Sequence, residues 1–149
     1  MRSFDFNQGN TCEKAYKIIV CGGRHFEDYT RLKAIMKDYL DKNVIAPTDV
    51  EIVSGHCQGA DMLGERYAEE HGCALTVFPA EWKKYGRAAG PIRNKQMVDS
   101  IANAKKKAVI AFVSENTRGT KNTVAYAKNN IEFFVLEDDT QRKERNLRG

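Results

Sequence analysis

The sequence predicts an α/β fold with a doubly wound parallel sheet, and three observations carry the prediction. Apolar runs of strand length alternate with segments of helical periodicity along most of the chain. Three of those runs end in a glycine-rich turn that opens a helix-like segment. No apolar run approaches the roughly 20 residues of a bilayer span, and the polar start, Met1 to Asn10, does not read as a signal peptide.

Taken in order, residues 1–15 are polar and read as a flexible leader. Lys17-Ile18-Ile19-Val20-Cys21 predicts strand one over 16–21 and runs into Gly22-Gly23-Arg24. Helix one is expected over about 28–42, because Tyr29, Leu32, Ile35, Met36, Tyr39 and Leu40 keep the three-and-four spacing of one buried face. Strand two, 50–54, runs into Ser54-Gly55-His56-Cys57-Gln58-Gly59-Ala60-Asp61. Helix two follows over about 59–71, with Ala60, Leu63, Gly64, Tyr67 and Ala68 inward and Gly72 as its stop. Strand three, 74–78, ends at Pro79.

A loop from Ala80 to Ala89 follows, long enough to read as functional. Helix three is expected over about 91–103 with Pro91 in its first turn, and strand four over 107–113. Helix four covers about 119–129, Glu132 to Leu136 makes strand five, and 138–149 is a charged tail. Five parallel strands joined this way predict the order 3-2-1-4-5. The connections after strands one and four then leave in opposite directions and open a ligand crevice.

The chain has 149 residues, 42% hydrophobic and 30% charged, which fits one globular domain with a proper core. Its four cysteines show no CxxC pair, and a reducing cytoplasm is the expected compartment. The net charge of +4 is unevenly placed: residues 83–107 hold eight basic side chains against Asp99 alone. A field of that sign favours anions. The same excess admits nucleic acid, but no aromatic-basic alternation makes a stacking platform, so nucleic acid is not the expected partner.

The chemistry concentrates in the turns. Glycine permits positive φ and close approach, and a helix N-terminus offers unpaired N–H groups to a phosphate. Gly22, Gly23, Ser54, Gly55, Gly59, Ala60 and Gly90 are therefore candidate ligand-binding positions, as are Gly119 and Thr120 after strand four. Arg24, Arg93 and Asn94 are candidate anion partners in the same set; a tight turn with a surface arginine is the plain alternative for Arg24. Asp61 either meets a ribose hydroxyl or simply complements a helix dipole. Trp82 and Tyr85 either stack on a base or pack in the core or an oligomer contact. No GxGxxG fingerprint or GxxxxGK[ST] loop is present, and His56-Cys57 has no second pair at zinc spacing. No metal and no cofactor are expected. As a Cys–His nucleophilic couple the two residues are disfavoured, because adjacent side chains rarely point together.

Gly22-Gly23-Arg24, Gly55 to Asp61, Phe78-Pro79-Ala80-Glu81-Trp82 and Gly86 to Asn94 together resemble the YspA/cpYpsA-related branch of the SLOG (SMF/DprA-LOG) superfamily. The resemblance spans roughly residues 17–136. It implies a Rossmann-like three-layer α/β/α domain of bacteria or phages that binds a nucleotide or a nucleotide-derived molecule such as an ADP-ribose relative. A homodimer is among the assemblies it implies. The related LOG-type phosphoribohydrolases cleave a base from a nucleoside 5′-monophosphate through a PGGxGTxxE motif. Here Gly119 and Thr120 match that turn, but Thr123 stands where the catalytic glutamate would be. The resemblance thus implies a sensor or processing domain. Its alternative is a hydrolase of N-glycosidic or phosphate bonds in which Arg93 positions phosphate and Asp61 or Glu81 supplies the carboxyl group. A weaker alternative is the DNA binding of the DprA relatives.

Overall fold

Alternate side chains of a strand point to opposite faces of its sheet, so the Ile18-Ile19-Val20-Cys21 run must be covered on both sides. In the computed structural model, which describes residues 16–113 and 132–137, it is. Ile18 and Val20 of β1 (Tyr16–Gly22) pack with α1 (Tyr29–Lys42) and α2 (Ala60–His71). Ile19 and Cys21 pack on the other face with Met97, Val98 and Ile101 of α4 (Ala89–Ile101).

The remaining elements are β2 (Val50–Ser54), β3 (Ala74–Val77), the single turn α3 (Trp82–Tyr85), β4 (Lys106–Val113) and β5 (Glu132–Glu137). The strands run in the order β3-β2-β1-β4-β5 and every pairing is parallel. The fold is α/β with a parallel sheet and Rossmann-like winding. β1 lies between β2 and β4, with α1 and α2 on one face and α4 on the other. The loops that follow β1 and β2 therefore emerge side by side at the carboxyl edge of the sheet.

Local signals explain the elements that match expectation. Asp28 caps α1 by accepting the Arg31 amide at 3.0 Å. The face of α1 that packs inward is Tyr29, Leu32, Met36, Tyr39 and Leu40, with Ile35 at its margin. Gly72 ends α2 in the left-handed conformation, φ 74°, and donates its N–H to the Ala68 carbonyl.

Two expectations need correction. The stretch read as a loop from Ala80 to Ala89 contains α3 and a 3₁₀ turn, Gly86–Ala88, and α4 begins at Ala89 rather than 91. Gly86, Gly90 and Pro91 suggested irregular backbone. Proline at the third helical position nevertheless costs nothing, since first-turn amides lack an intrahelical acceptor. In consequence Arg93 and Asn94 lie in the second turn of α4, not its first. The leader, helix four, Thr123 and the charged tail lie outside the described residues.

Candidate functional site

The first two glycine turns are locked to each other. Gly23 donates its N–H to the Phe112 carbonyl at the end of β4 (3.0 Å), and its own carbonyl accepts from Phe26 (3.2 Å) and Ala60 (3.3 Å). The Ala60 amide, at the N-terminus of α2, is thus occupied by the protein itself. Gly59 stands at φ 86°, a conformation L-residues rarely adopt. A Cβ there would collide with the Gly23 carbonyl oxygen and lie 2.7 Å from the Arg24 carbonyl carbon.

Beneath the β2–α2 loop sits a buried polar cluster. The Arg93 guanidinium donates through Nε to Asn94 Oδ1 (2.8 Å) and through Nη1 to the Gly55 carbonyl (2.5 Å). Nη1 also reaches the Phe78 carbonyl (3.5 Å), and Nη2 the Cys57 sulfur (3.7 Å). Arg93, Asn94 and Asp61 are all buried. Asp61 accepts the Cys57 N–H at 3.4 Å. A side chain on Gly55 would place its Cβ 2.8 Å from Arg93 Nη1 and 2.9 Å from Asp61 Oδ2, so the backbone passes directly over the charged pair. Arg93 and Asp61 therefore hold the loop in shape from below.

Burial pushes the Asp61 carboxyl up to about 6, against the pull of the Cys57 amide and the Arg93 guanidinium; Glu65 adds to the rise. The sign of the pH effect follows. An acid whose folded pKa exceeds its unfolded value stabilises the fold below the unfolded value and loses that contribution as pH rises through the folded one. Asp61 is expected to subtract roughly 3 kcal/mol of stability between about pH 4 and pH 6. Urea unfolding of wild type and Asp61→Asn across that window checks this: the difference between them should shift by that amount, and parallel curves would remove the assignment.

The sequence reading passed over Glu65. One helical turn beyond Asp61, its Oε2 accepts the Ser54 hydroxyl (2.7 Å) and His56 Nδ1–H (2.9 Å). Ser54 Oγ in turn accepts the His56 backbone N–H (3.1 Å), closing a ring of hydrogen bonds. His56 holds φ 61°, an uncommon value outside glycine. The four-residue spacing of Asp61 and Glu65 is visible in the sequence and places both on one helix face. What it does not reveal is that the 54–57 loop folds over that face.

The other candidates divide. Arg24 is exposed, consistent with either reading of it. Gly90 is buried in α4, where a Cβ would meet the Trp82 ring at 3.6 Å. Glu81 is exposed at the start of α3, and its carbonyl accepts the Lys84 and Tyr85 amides at 3.0 Å. Trp82 is 58% exposed, so it is not core. Gly119 and Thr120 lie outside the described residues. Among the described residues no group of three metal-binding side chains occurs, and no helix is long and apolar enough to cross a membrane. A cavity of about 540 Å³ lined by Lys33, Lys37, Leu40, Ile45, Tyr67 and His71 contains none of the expected site residues.

Gly23, Gly55, Gly59 and Asp61, the glycine-turn residues that carried the resemblance, are thus in contact with one another or with Arg93. Residues 16–85 match the model of the YspA, cpYpsA-related SLOG family. This segment belongs to the YspA-related branch of the SLOG superfamily. The SLOG segment takes in β1, β2, β3 and both glycine turns, while Arg93 and Asn94 lie just beyond it. The Gene 61 protein of Mycobacterium phage D29 is 26% identical over 117 residues, covering 75% of this chain and 88% of that protein. No solved structure matches the chain. SLOG membership points to a nucleotide-related function.

Proposed function

We propose that the chain binds a nucleotide or nucleotide-derived ligand, a nucleoside phosphate or an ADP-ribose relative, at the carboxyl edge of β1 and β2. The observation that carries this reading is the interlock at Gly59. Two glycine-rich loops are fixed backbone to backbone, and the protein holds a buried arginine and carboxyl group to shape one of them. Burying charged groups costs free energy unless they are paired and hydrogen-bonded, as Arg93 and Asp61 are to the loop backbone. In this reading Gly22, Gly23, Gly55 and Gly59 let the two loops pack against β4, Arg93 and each other, and the ligand rests on the surface so shaped. Exposed Arg24 meets a phosphate, and Ser54, Ala60, Gly90 and Asn94 form the supporting wall. Arg93 and Asp61 act through the loop they brace.

Thermal unfolding in the presence of nucleoside 5′-monophosphates, NAD and ADP-ribose tests the proposal. A ligand at 100 times its Kd should add about 2.7 kcal/mol of stability. Unchanged melting across the whole panel at millimolar concentration would remove the reading.

A second reading is hydrolysis of the bound ligand, the LOG-type chemistry that the resemblance implies. Release of free base or phosphate from the same panel distinguishes it from binding alone.

A further inference from the structure

Among the described residues Trp82 is the largest apolar side chain left open to water. A single exposed apolar residue is ordinary, so its place decides what it means. β3 pairs in parallel with β2, Ser54 opposite Val77, and α3 therefore follows the strand beside the β2–α2 loop at the same edge of the sheet. The Phe78 amide donates to the Ser54 carbonyl (2.8 Å), and the Phe78 side chain packs with Val53 and Met97. The chain is thus anchored just before Trp82. The tip of the indole, Cη2, lies 3.6 Å from where a Gly90 Cβ would stand. Gly90 and Arg93 share one face of α4, and Arg93 reaches the Gly55 carbonyl and the Cys57 sulfur. Trp82, Gly90, Arg93 and the 55–57 loop form an unbroken series of neighbours.

An indole held at its tip and more than half open leaves a flat apolar face for a flat partner. Tyr85 differs: it is partly buried, and the Lys84 ammonium lies 5.0 Å from its ring centroid. No described ring or cation lies over Trp82. The strands leading to Arg24 and Trp82, β1 and β3, stand two spacings apart, roughly 10 Å in all. That is about the reach of one nucleotide from phosphate to base, with the 55–59 loop between the two ends.

We propose that Trp82 binds the base of the ligand by stacking on it, so that the site selects a molecule with an aromatic base over a bare sugar phosphate. The inference rests on the nucleotide reading given above and adds the ligand's direction: phosphate toward Arg24, base over Trp82. Every base has a π-face, so Trp82 supplies affinity for a base of any kind.

Trp82 is the only tryptophan of the chain, so its emission reads the stack directly. The full chain is titrated with nucleoside 5′-monophosphates and with ribose 5-phosphate, which lacks a base. Emission, corrected for absorption by the base, is followed beside thermal shift. Nucleotides should quench saturably along the same curve as the thermal shift. Ribose 5-phosphate should bind about 10-fold to 100-fold more weakly, the size of one stacked base, and leave emission unchanged. Trp82→Ala alters an exposed position and should fold. By thermal shift it should weaken nucleotide binding by the same factor and leave ribose 5-phosphate binding as in wild type. Trp82→Phe keeps a ring and should recover most of the loss. A merely structural role would lower the affinity for both ligands alike. That result overturns this inference and leaves the nucleotide reading standing. So does nucleotide binding without quenching, equal affinity of wild type for ribose 5-phosphate, or wild-type affinity in Trp82→Ala. Emission that follows protein concentration and not nucleotide also overturns it, assigning Trp82 to a contact between copies. No binding of any probe overturns both.

Discussion

Gly59→Ala is expected to cost about 3 kcal/mol or more, enough to leave much of the chain unfolded near 37 °C. Two effects add. The backbone at φ 86° and ψ −130° lies outside the regions open to L-residues, which alone costs roughly 1–3 kcal/mol. The new methyl group also meets backbone on every near side, the Gly23 and Arg24 carbonyls. Backbone cannot swing away as a flexible side chain can. Relief requires the two glycine turns to separate, breaking the Ala60 to Gly23 hydrogen bond with them. The urea midpoint measures the loss. A change under 1 kcal/mol would mean that the loops are not interlocked as described.

Arg93→Ala is expected to be nearly as damaging, by about 3–5 kcal/mol. It leaves the Gly55 carbonyl without its donor and removes the charge that offsets buried Asp61. The Asp61 carboxyl should rise further above its ordinary range, since the guanidinium is one of the groups holding it down. Arg93→Lys should recover only part of the loss. An ammonium is a point donor and cannot reach Asn94, Gly55 and Cys57 from one planar fork. Either variant should also lose the thermal response to the ligand panel, measured at a temperature where it is still folded. A normal response in Arg93→Ala would detach this residue from the site.

Much of the fold was legible because burial leaves a periodic trace. Ile18 to Cys21 and Ala108 to Phe112 are apolar at consecutive positions because both faces of the central strands are covered. The faces of α1 and α2 repeat at helical spacing, and Gly72 marks a helix end by the one conformation it supplies cheaply. The segment from Ala80 to Ala89 was misread because its glycines and proline punctuate a chain of short helices as readily as a loop.

The site was legible in its members but not in its arrangement. Arg93 and Asp61 stood out as charged groups among small residues. Their partners, however, are main-chain groups of Gly55, Cys57 and Phe78, the first of them 38 residues from Arg93. A backbone carbonyl leaves no mark in the residue types. The same reason hid Glu65, whose partners lie on a loop folded across its helix. The sequence thus suggested that Arg93 and Asp61 face a ligand, whereas the geometry places them under the loop.

The central claim is that a nucleotide-derived ligand sits on the interlocked loops, and amide chemical shifts followed during titration with ADP-ribose and with nucleoside 5′-monophosphates test it most directly. The expected result is saturable shifts at Gly23, Arg24 and the 55–59 loop, with the amides around Lys33, Lys37 and His71 unmoved. Saturable shifts clustered at that distant cavity instead, or none at either place, would contradict it.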